Sequence, residues 1–173
     1  MTVHNQSMKV IELLQALCDQ QVQFVIVGGF AVQLHGYQRS TYDIDLVLAM
    51  DEENLTRFIA TAGQFGLVPV APVPIESLKN ALLIEQWHRE KGMLAFALRE
   101  PGISGSVVDV LVKPEVPFEA LNQRAVTGEL FSRKIKIASI DDLLTMKRIA
   151  DRPKDRLDIA ALERIKAGED PNV

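Results

Sequence analysis

The sequence predicts a mixed α/β (α+β) fold: a mixed β-sheet flanked by helices, with C-terminal helices packed on the same domain. Three observations carry this. Short apolar runs of strand length alternate with amphipathic helical segments over most of the 173 residues. No repeat, low-complexity tract or linker-like stretch divides the chain. Its last stretch holds two helix starts with no strand between them. The expectation is one domain over 1–173, with a core at 8–138 and a helical part at 139–168.

Ser7 to Gln20 places Val10, Leu13, Leu14 and Leu17 at helical spacing. Phe24 to Val27 reads as a short buried strand, Gly28 to Leu34 as a helix closed by Gly36, and Asp43 to Ala49 as a second strand. Asp51 caps a third helix, with Glu52 and Glu53 in its first turn and Gly66 past its end. Pro69, Pro72 and Pro74 make the next connection extended. Ile75 to Lys91 is read as one helix. Met93 to Leu98 and Val107 to Val112 are read as a hairpin joined by a Pro-Gly, Gly-rich turn. Pro117 to Val126 follows as a helix and Leu130 to Ile137 as a strand. Ser139 with Asp142 resembles a capping box opening a helix to Ala150, and Pro153 restarts a last helix that ends near Gly168.

The bulk numbers fit an ordinary globular protein large enough to bury a core, at 47% hydrophobic and 24% charged residues. The single cysteine, Cys18, excludes a disulfide framework and reads as a small buried hydrophobe. There is no apolar run of transmembrane length and no signal-peptide pattern at the N-terminus, so the expected location is cytoplasmic, with no membrane partner. Net charge is −4, which gives no global field for nucleic acid. Locally, Lys147, Arg148, Arg152, Lys154 and Arg156 put five bases into ten residues, against Asp151 and Asp155. Two readings compete for that run, a solvated helix face and a patch facing a polyanion. The motif below favours the second.

Residues 25–48 read VIVGGFAVQLHGYQRSTYDIDLVL. Alternation along the strand points Asp43 and Asp45 the same way, about 7 Å apart along the backbone, with Ile44, Leu46 and Leu48 toward the core. Two carboxylates on one face repel each other unless a cation sits between them, and Mg²⁺ is the foremost hard cation for oxygen ligands. Gly28 and Gly29, just upstream, allow a tight turn that brings bare N–H groups to an anion. A phosphate cradle beside metal carboxylates implies chemistry on a nucleotide.

Asp109 interrupts the apolar run Val107–Val112. Alone it could cap a turn or pair with an arginine; beside Asp43 and Asp45 it reads as the third carboxylate of a clamp for phosphoryl displacement. Asp155 and Asp158 share a helix face, where compensation of the helix dipole competes with any functional reading. Lys147, eight residues before Asp155, is either a surface lysine or a point charge for a triphosphate. His35 and the Trp87–His88 pair read as packing residues before ligands.

Together these blocks resemble the polymerase-β-like nucleotidyltransferase superfamily. The fuller string Gly28-Gly29-Phe30-Ala31, His35-Gly36, Arg39-x-Thr41-x-Asp43-x-Asp45 looks like the branch containing abortive-infection toxin nucleotidyltransferases and their uncharacterised relatives. Lys147 with Lys154-Asp155-x-x-Asp158-Ile159 is similar to the branch's C-terminal signature, and the likeness spans about residues 8 to 165. The resemblance implies Asp43, Asp45 and Asp109 as ligands of Mg²⁺ and as catalytic residues, with Asp109 available as a base. It implies Gly28, Gly29, Arg39, Thr41 and Lys147 as nucleotide contacts, and Asp155 as a supporting catalytic residue. The implied reaction moves an NMP from an NTP to an acceptor hydroxyl on RNA or protein. The alternative is a nucleotide- or partner-binding component of a toxin–antitoxin system with little or no catalysis. An aminoglycoside acceptor is disfavoured because no segment reads as an acidic antibiotic-binding domain. Two departures stand out. Gly29 occupies a position that is Ser in many superfamily members, and the additional domain of larger members is missing from this sequence.

Overall fold

Four consecutive apolar residues, Phe24–Val27, form the interior strand β1, and all four are buried. Its neighbour β2, Ile44–Leu48, runs antiparallel to it with Val27 opposite Asp45. Asp45 is the one residue of β2 that is not fully buried. The computed structural model describes residues 2–102 and 107–173, and shows a mixed α/β fold built on a seven-stranded mixed sheet. The other strands are β3 (Val68–Pro69), β4 (Ala95–Arg99), β5 (Val108–Leu111), β6 (Val126–Leu130) and β7 (Arg133–Ile137). Their order across the sheet is β3-β4-β5-β2-β1-β7-β6. Pairs β2–β5 and β1–β7 are parallel and the rest antiparallel.

Helices α1 (Thr2–Asp19), α2 (Gly28–Leu34), α3 (Glu52–Gln64), α4 (Ala81–Lys91) and α5 (Phe118–Arg124) flank the sheet, and α6 (Ile140–Ala150) and α7 (Asp155–Lys166) pack on each other, with α7 also against α2. Leu13, Leu14 and Leu17 of α1 are buried, as the helical spacing requires. Asp51 caps α3 through the N–H of Asn54 at 2.9 Å, and Ser139 caps α6 through that of Asp142 at 3.1 Å. No helix among the described residues is long and apolar enough to cross a membrane.

Three sequence expectations need correction. Residues 75–91 are not one helix: a 3-10 turn, Ile75–Lys79, stops at Asn80, whose side chain caps α4 through the Leu83 N–H at 3.1 Å. The helix expected to reach Val126 ends at Arg124, because residues 126–130 form a strand. The single strand expected at Leu130–Ile137 is a hairpin, β6 and β7, joined by Phe131 and Ser132, both at positive φ (46° and 68°). Of the Gly-rich turn expected before β5, residues 103–106 lie outside the described residues.

Candidate active site

Strand register assembles the three aspartates. Asp45 on β2 lies directly beside Asp109 on the parallel β5, and Asp43 precedes β2 by one residue. Carboxylate oxygens of Asp43, Asp45 and Asp109, one from each, all lie within 4.8 Å of one another. Thr41 holds the approach to the strand by donating its hydroxyl to the Asp43 carbonyl at 3.0 Å. Burial, then the charges of Asp109 and Asp43, push Asp45 up to about 7, against the pull of Lys147 and Lys154. This concentration of negative charge is costly to the metal-free protein. A purely oxygen, all-carboxylate donor set of this size suits a hard divalent cation such as Mg²⁺.

The glycine pair serves two different purposes. Gly28 has φ +69°, and a Cβ there would lie 2.0 Å from Oδ2 of Asp45. Glycine is therefore required for β1 to turn into α2 against that carboxylate. Of the pair, the positive φ falls on Gly28 and not on Gly29. Against Gly29 lies the Arg39 guanidinium, whose carbon would be 3.0 Å from an added Cβ. At this turn, positive charge from Arg39 adds to the backbone N–H groups.

A cleft of about 570 Å³ opens over these groups, lined by Gly28, Gly29, Arg39, Thr41, the three aspartates, Lys147, Asp155 and Asp158. Lys147 of α6 and Arg152 and Lys154 of the connection to α7 line one side of it, with Asp155 and Asp158 of α7 beside them. Lys147 is only 6% exposed. Its Nζ lies 2.8 Å from Asp158 and 3.4 Å from Asp155, so it is neither a plain surface lysine nor an unengaged point charge. Asp155 also accepts from the Arg152 side chain at 2.9 Å and its N–H at 3.1 Å. Burial alone would raise Asp155, but those bonds and the charges of Lys147 and Arg152 bring it below the usual carboxylate value.

Asp158, to which the sequence assigned no role of its own, ties two parts of the wall together: it accepts from Lys147 and from Arg39. Its sequence signals were the three-residue spacing from Asp155 and its place in the C-terminal signature. The basic run is correspondingly not a uniform polyanion patch. Lys147 and Arg152 face the cleft already paired with α7 carboxylates, and Arg148 pairs with Glu163. His35 hydrogen-bonds the Ala138 carbonyl at 2.8 Å and His88 that of Met93 at 2.8 Å, while Trp87 packs on the core. All three are packing residues. Burial raises the Cys18 thiol, as does the nearby Asp19, which suits an unreactive side chain.

No family model and no curated protein matches the chain. Solved structures do. The chain is similar to an antigenic nucleotidyltransferase-like protein from Paracoccidioides brasiliensis, with a TM-score of 0.55 and 22% identity over 92% of this chain and 75% of that one. It is also similar to ANT(2″)-Ia, solved in complex with adenylyl-2″-tobramycin, with a TM-score of 0.55 and 16% identity over 90% of this chain and 86% of that one. At these identities the likeness is one of fold. The fold is nucleotidyltransferase-like.

Proposed function

We propose that the protein is a Mg²⁺-dependent nucleotidyltransferase that moves an NMP from an NTP to an acceptor hydroxyl on RNA or protein. The observation that carries this is the convergence of Asp43, Asp45 and Asp109 beside the Gly28–Gly29 turn, in a cleft also lined by Arg39, Lys147 and Lys154. Asp43, Asp45 and Asp109 would hold the metal, which when bound neutralises charge on the transferring phosphoryl group. The N–H groups of Gly28 and Gly29, with Arg39, hold the outer phosphates, and Lys147 and Lys154 offset their charge. Thr41 sets Asp43. Asp155 acts by positioning, since it holds Lys147 and Arg152 against the cleft. Asp109 accepts the proton of the acceptor hydroxyl as its oxygen bonds to the α-phosphorus and the bond to the β-phosphate oxygen breaks, releasing pyrophosphate. Most of the catalysis is positioning and preorganised charge.

The alternative, a nucleotide- or partner-binding component of a toxin–antitoxin system with little or no catalysis, rests on the sequence resemblance alone. The test is incubation with Mg²⁺ and each α-labelled NTP, with RNA, protein or tobramycin as acceptor. Label transferred to RNA or protein and abolished by EDTA supports the proposal. Label on tobramycin alone redirects it to a small-molecule acceptor. Absence of transfer to any acceptor from folded, metal-loaded protein overturns it.

A further inference from the structure

The loop from Gly36 to Asp43 carries Arg39, Thr41 and Asp43 into the cleft, yet it belongs to no helix or strand. What holds its entry comes from the far end of the chain. The side-chain amide of Asn172 accepts from the Gln38 N–H at 2.7 Å and donates to the Gly36 carbonyl at 3.1 Å. A carbonyl and the N–H two residues on point to one side of an extended backbone, so one carboxamide satisfies both as a neighbouring strand would. Only a side chain that both donates and accepts can do this; alanine does neither, and aspartate keeps only the acceptor.

Asn172 is itself held. Its N–H donates to the Asp170 carboxylate at 2.8 Å, and the Asp170 carbonyl accepts from Arg164 of α7 at 2.9 Å. The same helix carries Asp158, which pairs with Arg39. Thus the loop is held twice, at the Gly36 and Gln38 backbone by Asn172 and at the Arg39 side chain by Asp158 of α7.

We propose that Asn172 is a positioning residue that sets the Gly36–Asp43 loop, and through it the placement of Arg39 and Asp43. This rests on the reading of Asp43 as a metal ligand and Arg39 as a phosphate contact. Two measurements on Asn172→Ala, Asn172→Asp and a Lys166→Ala control test it. In metal-free protein, amide exchange at Gln38 and Arg39 should accelerate in Asn172→Ala, while Asn172→Asp keeps Gln38 protected and the control matches wild type. Mg²⁺ affinity by calorimetry should fall roughly three- to tenfold in Asn172→Ala, the scale of one or two hydrogen bonds, with partial recovery in Asn172→Asp. Unchanged Gln38 exchange in Asn172→Ala overturns the proposal, and so does faster exchange with unchanged Mg²⁺ affinity. If wild type binds no Mg²⁺ at all, the metal reading of the aspartates fails, and exchange at Gln38 and Arg39 alone decides whether Asn172 sets the loop.

Discussion

The β1–β2 pair ends in two opposite ways. At the Phe24–Leu48 end, the buried Asn54 closes the strands: its Oδ1 accepts from the Gln23 N–H at 2.7 Å, and its Nδ2 donates to the carbonyls of Gln23 and Ala49 at 2.9 and 2.8 Å. At this end the side-chain amide of Asn54 has both its oxygen and its nitrogen matched. At the Val27–Asp45 end, three carboxylates crowd within 4.8 Å and Asp45 is pushed up to about 7. One end is arranged for stability; the other holds charge that folding alone does not need. Like charges brought this close together raise the free energy of the metal-free fold, so the crowded end is where function is to be sought.

The largest expected effect falls on activity. Asp43→Asn and Asp45→Asn should each cut nucleotidyl transfer on the order of a thousandfold or more, measured as initial rate with saturating Mg²⁺ and NTP. Asn54→Ala should do the reverse, leaving the site intact while costing about 3 kcal/mol of stability, read from urea unfolding. A variant at either end that mixed the two outcomes would blur the contrast. Gly28→Ala comes next. Its Cβ meets Asp45 at 2.0 Å and its φ is positive, so about 2 kcal/mol of stability should be lost together with Mg²⁺ affinity. Gly63→Ala, in α3 with open space around it, should be neutral or stabilising by up to about 1 kcal/mol.

The smallest effect is on pH dependence, and its sign is distinctive. Asp45 is raised in the fold above its unfolded value of roughly 3.9, to about 7, so between these values the folded protein binds the extra proton. Its contribution is therefore fully present below about pH 4 and is lost as pH rises through about 7 in metal-free protein. Mg²⁺ competes with that proton. The metal-induced rise in Tm should consequently be larger at pH 8 than at pH 6, and Asp45→Asn should flatten the difference.

How much of this was legible in the sequence follows from where each signal lies. Asp45 and Asp109 stood out because each interrupts an apolar strand, and Gly28 because it joins such a strand to a helix. Strand β6 was missed for the opposite reason: it is an edge strand with no fully buried residue, so nothing apolar alternates along it. The basic run looked like a patch because a linear reading sees charges and not their partners, which here sit on α7. Arg39 and Asp158 meet across 119 positions, and Gln38 and Asn172 across 134. No local periodicity encodes contacts of that range.

The central claim is that the three aspartates form a functional cation site and not a structural one. The most direct test is the Tm of wild type and Asp45→Asn, each in EDTA and in saturating Mg²⁺ at pH 8. In EDTA the variant should melt at or above the wild-type temperature, since it removes a repelled charge; Mg²⁺ should raise the wild type by several degrees and leave the variant nearly unmoved. A variant that melts many degrees lower in EDTA, or a wild type indifferent to Mg²⁺, would contradict the account.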